Sequence, residues 1–535
     1  MKKIILICIS FMLILTISVP AAADTVSQEP QALKDPIVKV GLYYGTEALA
    51  SANLANEIGS GYLFGYFDSE RVFNGVGYTS EEKITVMKDK TYHIDSGSEY
   101  PTYDAALSFA NEFSSYSGMA AFPAYISGAY RVYIGSYETL EKANQAAASA
   151  GLSDAAGAGG SSTCFSVTVT STGRIIFEFD TGSGGALAIK PTGADYTETW
   201  FKGYKYAGSF EYRLNKNNNN VNVINVLPLS EYTKGVLPYE MSPSWNIEAL
   251  KAQAICAASY TLSNRSKHSS YGFDVCNTTD CQVYRGRNAA TANSDAAAEA
   301  VKGLALYYGD KICVTVYHSS NGGSTESAKN VWGNDYPYLQ AVPDNFEDLS
   351  KANNGIWSFE YTRSEITWIL QNKGYSVNNI VDVYVDEYTP AGNVYRLVFV
   401  DSSGKKLSFE REQTRTILNS STLKKYTYSP RYTISGGIRF NVNDASTQIS
   451  SAEGYAIGSG GTVSRLPSRS DIYLMSAGGL SVLKRNTDSF IISGRGWGHN
   501  VGMSQYGAKG MAERGYTYDQ ILKYYFMGTE VKPIK

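Results

Sequence analysis

Apolar residues alternate with small or polar ones over residues 37–44, which predicts a strand, and strand-like patterning rich in small residues continues to about residue 90. A strand, a turn and an Ala-rich helix are then expected twice, about 38 residues apart: Tyr92-His93-Ile94 before residues 100–106, and residues 130–137 before Leu140-Glu141-Lys142-Ala143. A flexible Gly-rich turn spans 157–162, and strands follow to residue 189. From Phe201 the pattern is all-β. Residues 206–214 and 221–226 flank Lys216-Asn217-Asn218-Asn219-Asn220, and asparagine tolerates the positive φ that a hairpin turn needs.

The period then changes to that of helices. Ser230 is expected to cap a helix that Gly235 and Pro238 cut short. Beyond Pro243, a second helix capped by Asn246 is marked by Ile247, Leu250, Ala254, Ala257, Ala258 and Leu262. A further Ala-rich helix is expected at 291–302 and strands at 304–308 and 312–317. The less distinctive segment 345–423 holds an amphipathic helix near Arg363–Asn372 and strands at Ile380–Tyr388 and 395–400; a short helix at Tyr518–Tyr525 ends the chain. The fold class is α+β: a mixed, β-rich domain at 195–535 preceded by a smaller α/β region at 37–190.

At 535 residues the chain exceeds one core, so two or three domains are expected. A formal net charge of −3 argues against nucleic acid as a partner, because phosphate binding needs a basic face. The 42 tyrosines offer flat apolar faces with hydroxyls, suited to glycans, although tyrosine is also a common strand residue. Lys2 and Lys3, an apolar run over residues 4–19, and Pro20-Ala21-Ala22-Ala23 read as a signal peptide at 1–23 followed by a polar linker at 24–36. An uncleaved anchor is the alternative; no other stretch is apolar enough to span a membrane. The protein is expected to be secreted and wall-associated.

Candidate chemistry centres on Glu240, set between Tyr239 and Met241 at a helix junction where partial desolvation would raise its pKa; the alternative is an ordinary carboxylate at a helix end. Among four histidines, His318 and His499 sit in Gly/Ser-rich blocks that allow close backbone approach to a ligand or merely a tight turn. Cys276 and Cys281 bracket four residues, close enough for a disulfide or a shared metal. An oxidising exterior favours the Cys276–Cys281 disulfide; bound zinc and free thiols are the alternatives. Cys256, on the Ala-rich helix, is expected to be a small core residue.

Three ordered blocks resemble the SpoIID/LytB family of sporulation and cell-wall proteins. They are Gly235-Val236-Leu237-Pro238-Tyr239-Glu240-Met241 with Trp245 and Glu248-Ala249-Leu250-Lys251-Ala252-Gln253-Ala254; Tyr317-His318-Ser319-Ser320-Asn321-Gly322-Gly323 with Tyr336-Pro337-Tyr338-Leu339; and Gly494-Arg495-Gly496-Trp497-Gly498-His499-Asn500-Val501-Gly502-Met503-Ser504-Gln505-Tyr506-Gly507-Ala508. The resemblance implies a peptidoglycan lytic transglycosylase with Glu240 as its catalytic acid/base and Tyr239, His318, Ser319, His499 and Gln505 as substrate-binding residues. It also implies an added subdomain at about 345–423. Glycan hydrolysis normally recruits two carboxylates, whereas a lytic transglycosylase uses the C6 hydroxyl of its own substrate as nucleophile, so one glutamate suffices. Some relatives hold zinc near the cysteine pair with two Cys and two His; here Asp280 stands where one such His would lie, and no other cofactor is implied. Asn500 stands where many relatives carry glycine. The second strand–helix repeat resembles SPOR domains, which bind denuded glycan, and so suggests Tyr133 and Tyr137 as glycan contacts; a purely structural module is the alternative. The LytB side of the family suggests a second role, a non-catalytic wall-binding protein that recruits or stimulates an amidase partner.

Overall fold

A computed structural model describes residues 34–149, 151–193, 196–436 and 489–535, with short backbone strands between 437 and 488. The expected signal peptide and most of the linker lie outside the described residues. The molecule is α+β and strand-rich. Strand Ile37–Tyr43 runs antiparallel to Val221–Pro228 and parallel to the short Val275–Cys276. These belong to a seven-stranded sheet continued by Ser209–Leu214, Leu187–Pro191, Tyr62–Phe67 and Phe73–Thr79. Residues before and after the expected boundary at 190–195 thus share one sheet. They also share one core, in which Val38 and Val40 pack with Tyr212, Val223, Tyr232 and Val236. The physical reason is that Val221–Pro228, buried along nearly its whole length, needs a paired strand on each edge.

The expected repeat is present. Tyr92–Asp95, helix Tyr103–Ser117 and Ala121–Ile126 are followed by Ala129–Tyr137, helix Leu140–Ala147 and Ala156–Gly159. All four strands pair antiparallel, with the third and first in the middle, which is the split βαβ arrangement. Thr102 and Thr139 cap the helices, accepting from Ala105 N and Lys142 N at 3.2 Å each. Ala106, Ala110 and Ala147 let the helices settle on Ile94, Val132 and Ile134. The strands continue into a ten-stranded sheet through Ile175–Asp180. Tyr133, expected to face glycan, faces inward instead: it is 6% exposed and its ring stacks on His93 at 5.4 Å. The alternation of strand 129–137 puts it on the face that the rest of the sheet covers. Tyr137 is half-buried.

Helix Leu229–Glu240 differs from its expected form. Pro228 occupies the N-cap, and the Ser230 N–H and hydroxyl donate to Asp35 at 2.9 and 2.7 Å. Gly235 and Pro238 do not stop the helix. Pro238 falls in the last turn, and the burial of Leu229, Tyr232, Val236 and Leu237 holds the helix against the sheet. Gly235 is there because the Tyr284 ring occupies the space of a Cβ. Gly235→Ala should therefore cost about 1–3 kcal/mol through overpacking, read as a lower denaturation midpoint at unchanged slope; a midpoint equal to the wild type would refute that contact.

Helix Ile247–Ser263 begins as expected, with Asn246 Oδ1 accepting from Glu248 N at 2.9 Å. It lies in a second core with Met503, Ile521, Leu522 and Tyr525, which places the C-terminal helix Tyr518–Tyr525 beside it; Cys256 is buried there. The strand expected at 312–317 is reduced to Lys311–Ile312 and Tyr317–His318. Between them Val314 N donates to the Tyr338 hydroxyl at 3.0 Å and the Thr315 hydroxyl to Cys256 O at 2.7 Å, so side chains replace the ladder. Tyr317–His318 instead pairs in parallel with Met503–Ser504. A third core holds the expected helix Arg363–Asn372 and a meander of Ile380–Tyr388, Val394–Asp401 and Lys406–Glu410. That body extends beyond residue 423, because Tyr432–Gly436 and Ile356–Thr362 both pair with Ser489–Arg495.

Candidate functional site

Glu240 ends its helix at the floor of a groove of about 620 Å³. Its Oε1 accepts from Val283 N at 2.8 Å, and Gln505 Nε2 reaches Oε2 at 3.4 Å. The Tyr317 hydroxyl lies beside the carboxyl and donates to Gln282 Oε1 at 3.1 Å. Gln282 is fixed in turn by Tyr232, Ala257 and Thr261. Burial raises the Glu240 pKa above its ordinary value, and the three polar contacts only partly offset this. A carboxyl held this way keeps its proton to a higher pH than an exposed glutamate does.

The pairing of Tyr317–His318 with Met503–Ser504 brings the second and third sequence blocks together over Glu240. His318 is buried, and burial pushes its pKa down to about 4. Its Nδ1 lies 3.1 Å from Val501 O, a pure acceptor, so Nδ1 carries the hydrogen and Nε2 is left as a buried acceptor. Among the described residues Nε2 has no partner. His499 is also driven well below its ordinary value, by burial and then by His318 and Arg415; its Nδ1 accepts from Val501 N at 3.0 Å. Neither imidazole is a proton donor of the imidazolium kind at neutral pH. Gly498 is required here, since a Cβ would press on His318 at 2.5 Å and its φ is +124°. Asn500 takes φ +65°, which asparagine tolerates, and its amide ties the loop to Asn393 and Ser429 at 3.2 and 3.1 Å.

Ser319 and Gln505 line the groove with Glu240, His318 and His499. Tyr239 does not. One residue along a helix turns the side chain by about 100°, so Tyr239 points away and its hydroxyl bonds the Ala289 backbone. Sequence reasoning gave no role to Trp332 and Trp497, whose rings are 38% and 39% exposed and form apolar walls, nor to Arg415, which reaches the groove from the added subdomain. Trp497 stood inside a quoted block; nothing local marked Trp332 or Arg415.

Residues 217–308, which include Glu240 and the cysteine pair, match the SpoIID family model, described as stage II sporulation protein. An uncharacterized protein of Brachyspira hyodysenteriae is 30% identical over 62% of this chain and 73% of its own length. The chain belongs to the SpoIID family. The amidase enhancer of Bacillus subtilis is 32% identical over 55% of the chain, which spans only 39% of that relative. Stage II sporulation protein D of the same organism is 27% identical over 57% of the chain and 74% of its length.

In the structure of this SpoIID-family chain Cys276 and Cys281 stand as free thiols. They converge with His268 and Asp280, each donor within 4.8 Å of the others. His268 Nε2 lies 3.3 Å from both Cys281 Sγ and Asp280 Oδ2, and Cys276 Sγ lies 3.8 Å from Asp280 Oδ2. Zinc bound at about 2.0–2.3 Å spaces tetrahedral donors by about 3.3–3.8 Å, so the set fits the ion. The Cys276 thiol is drawn down to about 5, chiefly by its hydrogen bond with Cys281, which leaves a thiolate in the cluster. His268, eight residues before Cys276, is brought in by the turn at Ser269–Tyr271. The ion would fasten the loop that carries Gln282 and Val283 to Glu240.

Proposed function

We propose that this chain is a peptidoglycan lytic transglycosylase acting outside the cytoplasm, with Glu240 as sole acid/base. The observation that carries this reading is the isolation of Glu240. Among the described residues the other carboxylate lining the groove, Asp280, is drawn into the thiol–imidazole cluster, and no general base or nucleophile of the hydrolytic kind faces Glu240. Protonated Glu240 gives its proton to the glycosidic oxygen as the C1–O bond breaks. The sugar's C6 hydroxyl then closes on the anomeric carbon of the oxocarbenium ion, and its proton returns to Glu240, leaving a 1,6-anhydro end without water. Trp332 and Trp497 offer exposed faces to the sugar rings. Among the described residues no helix is long and apolar enough to cross a membrane. The N-terminal repeat would hold the enzyme on the wall, though Tyr133 takes no part. Mass spectrometry of products from purified glycan strands tests the reading: 1,6-anhydro ends are expected, and reducing ends or intact strands would refute it.

The second reading, a protein that stimulates or recruits an N-acetylmuramoyl-L-alanine amidase, is favoured by the 32% identity to a relative named amidase enhancer. It predicts intact glycan with faster peptide release when an amidase is added.

A further inference from the structure

A second convergence of ligating side chains lies in the N-terminal region, within the ten-stranded sheet. Asp89 follows strand Lys83–Lys88, His93 lies in Tyr92–Asp95 and Glu178 in Ile175–Asp180; they are 5%, 0% and 0% exposed. His93 Nε2 is 3.6 Å from Asp89 Oδ1 and 3.8 Å from Glu178 Oε1. Both separations exceed a hydrogen bond, yet both oxygens turn to the same nitrogen. The other ring nitrogen is engaged: Nδ1 lies 2.7 Å from Gly135 O, which can only accept. Nε2 faces both carboxylates and the Thr91 hydroxyl, which lies 3.3 Å away, so an ion bound there takes the place of a proton on Nε2.

Those carboxylates are supplied with donors of their own. Thr91 N and its hydroxyl reach Asp89 Oδ1 at 2.9 and 3.1 Å. The Ser166 hydroxyl and the Cys164 thiol reach Glu178 at 2.6 and 2.7 Å. Donors aimed at both carboxylates favour their ionised forms, and ionised groups in an interior require a compensating cation. That cation is either a proton on His93, facing Asp89, or a divalent ion shared by all three side chains.

We infer that Asp89, His93 and Glu178 bind a divalent first-row transition ion, and that this ion fastens the strand–helix repeat to the adjoining sheet. One imidazole with two carboxylates suits such ions, and all three donor atoms lie within 4.8 Å of one another. Binding at about 2.1 Å puts neighbouring donors about 3.4 Å apart, a contraction of a few tenths of an ångström from the His93 contacts. The Nδ1–Gly135 bond is the outer contact that orients a ligating histidine. Asp89, Thr91, Gly135 and Ser166 also line an open cavity of about 450 Å³, which gives entry and room for a water on the ion.

The test must silence the thiol cluster first. The full chain carrying Cys276→Ser and Cys281→Ser, stripped by chelation and titrated with Zn²⁺ in a calorimeter, should take up one equivalent and melt at higher temperature. Co²⁺ in its place should give visible d–d absorption. On that background His93→Gln should abolish uptake, and Glu178→Gln should weaken it by about 10- to 100-fold. The cysteine variant leaves the N-terminal residues untouched, so its failure to bind Zn²⁺ while folded would overturn the proposal and leave a protonated His93 as the cation. Zinc uptake that persists in His93→Gln would overturn it equally. If His93→Gln does not fold, Asp89→Asn takes its place with the same two outcomes.

Discussion

Glu240→Gln should lower glycan turnover by about 10²- to 10⁴-fold, the usual worth of a positioned acid–base group. The amide keeps the size of the side chain and can still accept from Val283 N, so the groove survives. What it loses is the transferable proton and the negative charge that faces the oxocarbenium ion. Stability should not fall. The Glu240 carboxyl has a folded pKa above its unfolded one, so below the unfolded value its burial costs nothing in charge. As pH rises through the raised folded value, the buried carboxylate becomes a cost, which the amide does not bear. The variant should therefore bind glycan, melt at or slightly above the wild-type temperature at neutral pH, and release almost nothing. Turnover within threefold of wild type would remove Glu240 from the chemistry. The wild type should in addition lose activity on the alkaline side as Glu240 gives up its proton, and this limb should be absent from the residual rate of the variant. His318 and His499 contribute no titration near neutrality, since both are held neutral.

The elements that sequence could locate are those fixed by local physics. Asn246 caps its helix as expected because a side-chain oxygen beside free N–H groups needs no distant partner, and the same local rule would have marked Thr102 and Thr139. Helix Leu229–Glu240 was misjudged because its continuation past Gly235 and Pro238 is decided by burial against residues far along the chain, Tyr284 among them. The sheet that joins Ile37–Tyr43 to Val221–Pro228 is of the same kind: strand pairing across 185 positions leaves no local trace. At the site, Glu240, His318, His499 and Gln505 were legible through three ordered blocks, and the parallel pairing of Tyr317–His318 with Met503–Ser504 shows why the blocks belong together. Tyr239 failed for a geometric reason, adjacency on a helix being divergence in space. Tyr133 failed because strand alternation assigns two faces without saying which one the protein covers.

Emptying the thiol cluster should reduce turnover by about 10- to 100-fold with the fold intact, the scale on which groups that orient a site through other residues act. The chain of contacts is short. Cys281 is followed by Gln282, whose amide joins Tyr232, Thr261 and Tyr317, and then by Val283, whose N–H holds Glu240 Oε1 at 2.8 Å. An ion held by His268, Cys276, Asp280 and Cys281 sets the position of that N–H. Without it, the two thiols, the imidazole and the carboxylate have only one another, and the loop at 277–282 has few buried apolar anchors besides Cys281. Purified wild type is expected to carry zinc at this cluster, to expose two titratable thiols on chelation and to regain turnover when zinc returns. The Cys276→Ser, Cys281→Ser chain should match the chelated protein, with the loss chiefly in kcat because the cluster positions Val283 N against Glu240, and with a smaller rise in KM because Asp280 and Cys281 also line the groove. The competing outcome is a Cys276–Cys281 disulfide in the protein purified without reductant. Mass spectrometry showing that linkage, together with activity indifferent to chelator, would replace the ion by a covalent clasp of the same loop.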